Sequence, residues 1–267
     1  MRSRRNIIVN STILFVVAAI VEMTLHEFSH FFTAILVQAR EISIHHNYVS
    51  HSDEGLSLAS RVWISAAGPL VSLCIGIVYQ FVCSRQEGRN MLFLFNLYMS
   101  AFGYIGCFGY LMIAPMSTVG DTGFICDALG FPMWLTIAIG VTGVVALYLA
   151  INSLIKYFVE MGSKEVIENK NSRHSFIHSL ILIPVLIGIV ITTLLNLPVP
   201  AFVSLMASLF RPFTFLWPYG NALKKIYPLQ HANKDFESLY SLHPILFVFL
   251  LVIVMANRLL VLGIYVN

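Results

Sequence analysis

Two histidines and a glutamate, spaced His26-Glu27-Phe28-Ser29-His30, lie inside an apolar run from Ile7 to Ala39. On a helix His26 and His30 fall one turn apart on the same face, with Glu27 beside them. Two imidazoles so placed can share one zinc ion while the carboxylate reaches a water at the metal. Each ionisable group at membrane depth costs about 2.5–3.5 kcal/mol or more unless paired or hydrated. Glu22, His26, Glu27 and His30 all occupy this run, so a functional reading is favoured. The structural alternative is a pair of histidines that only hydrogen-bond neighbouring helices; Glu27 would then need a buried partner of its own.

A catalytic zinc takes three protein ligands and keeps a fourth position open, so a third ligand must come from elsewhere in the chain. Asp121, within Pro115-Met-Ser-Thr-Val-Gly-Asp-Thr-Gly123, is one of few carboxylates beside an apolar segment, and its flanking glycines free the backbone to point it inward. A turn-capping aspartate is the alternative. Asp127 is a second candidate. Glu22 precedes His26 by one turn and could orient an imidazole from behind, or face a water-filled cavity.

The elements that must position these residues follow from composition. The chain has 267 residues, 58% hydrophobic and only 11% charged, with mean hydropathy +0.81, whereas soluble domains carry roughly 25% charged residues. This predicts an all-α polytopic membrane protein. A net charge of +3 without a basic block argues against nucleic acid as a partner. Cys74, Cys83, Cys107 and Cys126 are scattered through apolar segments and read as small hydrophobes.

Runs long enough to span a bilayer, which needs about 20 residues, occur at 7–37, 62–83, 91–114, 134–158, 176–197 and 243–266. The expectation is therefore about six transmembrane helices. A further apolar stretch, 199–217, is interrupted by Pro200 and Pro212 and closely followed by Pro218, so it reads as a broken, re-entrant or interfacial piece, with a seventh span as the alternative. The basic start, Met1 to Arg5, reads as the flank of a retained first span rather than a signal peptide. Residues 40–60 alternate at Ile42/Ile44 and Leu56/Leu58 around Ser-Asp-Glu-Gly, which predicts a small β-hairpin after the first span. Residues 115–132 carry Pro115, Gly120, Gly123, Gly130 and Pro132, which predicts an irregular Pro/Gly segment after the third span. Such backbone beside a membrane must be buried in protein or line a wet cavity. Residues 160–175 read as a plain polar linker. Residues 1–133 form the metal-binding membrane core and 134–267 the accessory transmembrane helices, within one membrane domain. Loop charges lean towards a cytoplasmic N-terminus. At about 1.5 Å per residue His26 lies roughly 28 Å beyond Ile7, on the same side of the bilayer midplane as the 115–132 segment.

The chain resembles the site-2 protease family of intramembrane zinc metalloproteases. The residues that carry the resemblance are HEFSH at 26–30 in the first span, Ala67-Gly68-Pro69 in the second, and Pro115 to Asp121 after the third. It covers about residues 7–125. It implies one zinc ion per chain held by His26, His30 and Asp121, with Glu27 as catalytic base. It implies a membrane-protein substrate whose transmembrane segment is helix-destabilised, held extended by a strand such as that of Ile42 and Ile44, with Gly68, Pro69, Ser72 and Pro115 shaping the substrate site. The family pattern has Asn where this chain has Ser72 and Met112, and Thr122 separates Asp121 from Gly123; Asn96 could replace a missing amide. Gly68 and Pro69, with Ala66, Ala67 and Gly76, also read as small residues that let helices approach. The resemblance implies a site near the cytoplasmic face, whereas the loop charges favour the opposite one.

Two other classes compete. A non-catalytic zinc-binding membrane protein or transporter would keep the fold without turnover. A membrane di-iron oxygenase needs clustered histidine boxes; His45-His46, His51, His174 and His178 lack the His-x-x-His-His spacing. The expected setting is the lipid bilayer of a plasma or cell inner membrane, with a homo-oligomer possible.

Overall fold

A computed structural model of the chain describes residues 2–200, 205, 209, 211–216, 219–224 and 236–266. Helix α1 runs Arg2–Leu36, followed by strands β1 Arg40–Ile44 and β2 Val49–Ser52. Then come α2 Leu58–Arg85, α3 Met91–Ile113, a 3-10 turn Ala114–Met116, α4 Asp121–Ala128 and α5 Met133–Glu160. Next are α6 Lys164–Glu168, α7 Lys170–Ile177, a π-turn His178–Leu182 and α8 Ile183–Leu195. A 3-10 helix Arg211–Leu216, α9 Tyr219–Lys224, a 3-10 turn Phe236–Tyr240, α10 Pro244–Leu259 and β3 Ile264–Val266 follow. Among the described residues six helices are long and apolar enough to cross a membrane, and they match the six expected runs. The chain is a multi-pass, mainly helical membrane protein.

Local chemistry sets the helix ends. The Ser57 hydroxyl accepts from the Ser60 amide at the start of α2, and Asn90 Oδ1 accepts from the Phe93 amide at the start of α3. Helices α2 and α3 cross where neither has a side chain: a Cβ on Gly103 would lie 2.4 Å from the Gly76 nitrogen and 2.6 Å from the Ser72 carbonyl. Such glycine contacts let backbones meet in a bilayer, where packing replaces the hydrophobic drive. An aromatic cluster of Phe15, Tyr98, Phe102 and Phe215 fills the N-terminal half of α1, with Phe15 centroids 4.9–5.4 Å from the other three.

Four expectations about the connections are corrected. The 115–132 segment is not irregular throughout. Gly120 starts α4 as its N-cap residue, and Gly123 is required there because a Cβ would meet the Ser117 carbonyl at 1.8 Å. Residues 160–175 are not a plain linker: Ser163 and Asn169 cap two short helices, and buried Arg173 donates to the carbonyls of Ile167 and Leu223. The hairpin exists, but its turn lies at His45–Tyr48, where the His45 amide donates to the Tyr48 carbonyl. Leu58 accordingly belongs to α2 rather than to a strand. The last helical run stops at Leu262, and Gly263, at φ +79°, turns the chain into β3. The sheet order is β2-β1-β3, so β1 is central and antiparallel to both neighbours. The 199–217 stretch lies about half outside the described residues; within it Arg211–Leu216 is 3-10 and Phe215 joins the core.

Candidate metal centre

Three helix stripes meet at one point. In α1, Glu22, His26 and His30 recur every four residues; in α2, Ile64, Gly68 and Ser72 do the same; in α3, Gly106 and Tyr110 do so. Residues four apart share a helix face, so each stripe presents one edge to the others. Their contacts pair Glu22 with Ser72 and His30 with Ile64, which sets α1 and α2 antiparallel. Gly68 sits against the imidazoles: a Cβ there would lie 2.2 Å from His30 Nε2 and 2.5 Å from His26 Nε2. Its successor Pro69 is buried within α2 and has no N–H for the Ser65 carbonyl.

The ligand atoms converge. His26 Nε2 lies 3.1 Å and His30 Nε2 3.3 Å from Asp121 Oδ2, and the two Nε2 atoms are 3.2 Å apart. Asp121 reaches the point from the first turn of α4. His26 and His30 are 1% and 6% exposed, so water does not solvate them. His30 Nδ1 donates to the Ile64 carbonyl at 2.6 Å; a carbonyl only accepts, so Nε2 carries the lone pair. The His26 ring is held by Ser72 at Nδ1 (2.9 Å) and stacks on Tyr110 at 5.1 Å between centroids.

These three atoms lie close enough together to surround one metal ion. A proton satisfies one contact well; a metal ion satisfies all three. Ligands about 2.0–2.2 Å from a tetrahedral zinc lie roughly 3.3–3.5 Å apart, close to the observed 3.1–3.3 Å. Among the described residues, His26, His30 and Asp121 form the one group of three such side chains able to hold a metal ion. Glu27, in the same turn of α1, is buried, and its charge acts on His30.

The other expected site residues divide. Ser72 and Glu22 lie directly behind His26. Pro115 packs on α5, where a Cβ on Gly140 would lie 2.7 Å from its Cγ. Ile42 and Ile44 are buried in a small core with Phe31, Ala34 and Ile64, so their side chains support the sheet rather than face a substrate. The β1 edges are both taken, which leaves the outer edge of β2 without a strand partner among the described residues. Asn96 donates to Gln86 at the other end of α3, roughly 21 Å along the helix from Tyr110 at about 1.5 Å per residue; it supplies no amide to the site. Asp127 lines a separate cavity of about 530 Å³ with Pro115, Cys126 and Thr136. Sequence reasoning missed the Ile64 carbonyl and Tyr110; their four-residue spacing from Gly68 and Gly106 was the available signal. The chain matches no protein-family model, no curated protein and no solved structure.

Proposed function

We propose that the protein is an intramembrane zinc metalloendopeptidase that hydrolyses a peptide bond in or near a transmembrane segment of a membrane-protein substrate. The observation that carries this reading is the buried convergence of His26, His30 and Asp121, with Glu27 in the same helical turn. The resemblance to site-2 proteases supports it. Two imidazoles and one carboxylate are a donor set suited to zinc with one position left open. When bound there, zinc supplies Lewis acidity, which lowers the pKa of water from about 15.7 to about 7 and polarises a carbonyl.

The chain's own groups supply the rest. The Glu27 carboxylate accepts the proton of the attacking water and delivers it to the departing amide nitrogen. Gly68 leaves the ligand atoms uncovered by any side chain on the α2 side. A substrate helix shields its carbonyls in i to i−4 bonds, so helix-breaking residues near the cut favour attack. The surrounding helices limit water to what the site admits.

The test uses purified protein in detergent, zinc and a transmembrane reporter peptide containing a Gly-Pro break. Wild type cleaves it; Glu27→Gln does not, yet holds one zinc ion per chain; His26→Ala, His30→Ala and Asp121→Ala lose the metal. Unimpaired cleavage by Glu27→Gln, or full zinc content in His26→Ala, refutes the reading.

A further inference from the structure

We propose that Ser72 and Glu22 form a hydrogen-bond relay that fixes the tautomer of His26, so that its Nε2 lone pair is presented to the metal. The inference rests on the metal-centre reading above and assigns these two residues a role in it. Ser72 Oγ donates to Glu22 Oε1 at 2.6 Å. A serine hydroxyl has a single proton. Having given it to Glu22, Ser72 Oγ can only accept from His26 Nδ1, 2.9 Å away. His26 therefore carries its proton on Nδ1, and Nε2 is bare where it meets His30 and Asp121. The accepting Glu22 Oε1 holds the hydroxyl in this sense.

Two independent features belong to the same device. Glu22 and Ser72 are both fully buried, so water does not compete for these bonds. The third wall is Gly106: a Cβ there would lie 2.2 Å from Glu22 Oε1 and 2.6 Å from Ser72 Oγ, so α3 leaves space for the pair at this position. Ser72 touches the ligand from behind, Glu22 holds Ser72, and both are positioning residues. His30 reaches the same protonation pattern by a simpler route, through the Ile64 carbonyl.

The relay is tested by zinc affinity, read from competition with a chelator on the full-length protein. Ser72→Ala removes the acceptor. In Glu22→Gln the amide can offer its NH2 to Ser72, which lets the hydroxyl turn round and reverse the His26 tautomer. Each variant is expected to bind zinc about 10- to 100-fold more weakly, the usual scale for losing a partner behind a ligand. The double variant should be no weaker than Ser72→Ala, because in the relay Glu22 acts on His26 through Ser72. Ser100→Ala is the structural control: its buried hydroxyl bonds the Gly76 carbonyl between α3 and α2, and it should leave affinity unchanged. If wild type holds one zinc and His30→Ala loses it, while Ser72→Ala and Glu22→Gln bind like wild type, the relay alone is overturned. Additive losses in the double variant, or an equal loss in Ser100→Ala, overturn it as well. A wild type that takes up no zinc removes the metal centre, and the relay with it.

Discussion

Gly68→Ala should empty the metal site while leaving the fold standing. A methyl at Gly68 would lie 2.2 Å from His30 Nε2, 2.5 Å from His26 Nε2 and 2.7 Å from His26 Cε1. To regain an ordinary contact of about 3.4 Å the His30 nitrogen must retreat roughly 1.2 Å, whereas a metal site tolerates about 0.2 Å in ligand distance. Retreat is opposed on each ring's far side, by the Ile64 carbonyl at 2.6 Å and Ser72 Oγ at 2.9 Å. The stability terms are smaller and partly cancel: overpacking costs about 1–3 kcal/mol, and alanine gains about 1 kcal/mol over glycine in a helix. The expected result is a net loss of up to about 2 kcal/mol and a fall in zinc affinity of more than 100-fold. Metal analysis after equilibration with buffered zinc, beside thermal unfolding, reads both quantities. Gly109→Ala is the control, since its nearest neighbour would be 3.8 Å from the new carbon. Wild-type zinc binding by Gly68→Ala would refute the placement of this glycine against the ligands.

Other outcomes follow from the same structure. Removing zinc with a chelator should lower the unfolding temperature, because a ligand at 100 times its Kd stabilises by about 2.7 kcal/mol; an unchanged melting curve would contradict the site. Arg89 and Glu160 form a buried ion pair at 2.8 Å, far along α3 from the metal ligands. Arg89→Met should therefore cost about 3–5 kcal/mol by leaving Glu160 without its cation, with zinc content unchanged. Burial lowers the His46 pKa below its ordinary 6.5, and its ring bonds the Asn196 carbonyl. The unfolded chain then binds more protons in the window just below 6.5, so stability rises with pH there. Acidification from pH 7 should loosen the hairpin, read as faster hydrogen exchange over residues 40–52; slower exchange on acidification would reverse the sign.

Hydropathy made the six spans legible, since crossing a bilayer needs only length and apolar content. The group of His26, His30 and Asp121, which could hold a metal ion, was legible because ionisable side chains beside lipid are costly. The elements that escaped depend on tertiary contact. Helix α4 looked too rich in glycine, yet Gly120 is its cap and Gly123 its point of contact with the Ser117 carbonyl. Three residues of β3 leave no periodic signal and form a strand because β1 offers an edge. Asn96 was considered for its amide alone, but helical rise puts it far from Asp121. Ser72 looked like a substitute in a substrate clamp; its bonds to His26 and Glu22, 46 and 50 residues away, exist only once α1 and α2 pair.

The glycines show why fold and site are a single problem in this chain. Gly103 meets the backbone of Gly76 and Ser72, Gly106 meets the side chains of Glu22 and Ser72, and Gly68 meets the two imidazoles. A side chain at Gly103 would move α3 away from α2 and with it the wall behind Ser72. One at Gly106 would part Glu22 from Ser72 without touching a ligand. One at Gly68 would push the ligands themselves. Lipid offers the helices no water-driven reason to close, so small residues bring them near enough for side chains of α1 and α4 to converge beside Gly68 of α2. A cation bound there would tie α1 to α4. Helix approach and ligand geometry thus depend on the same few positions.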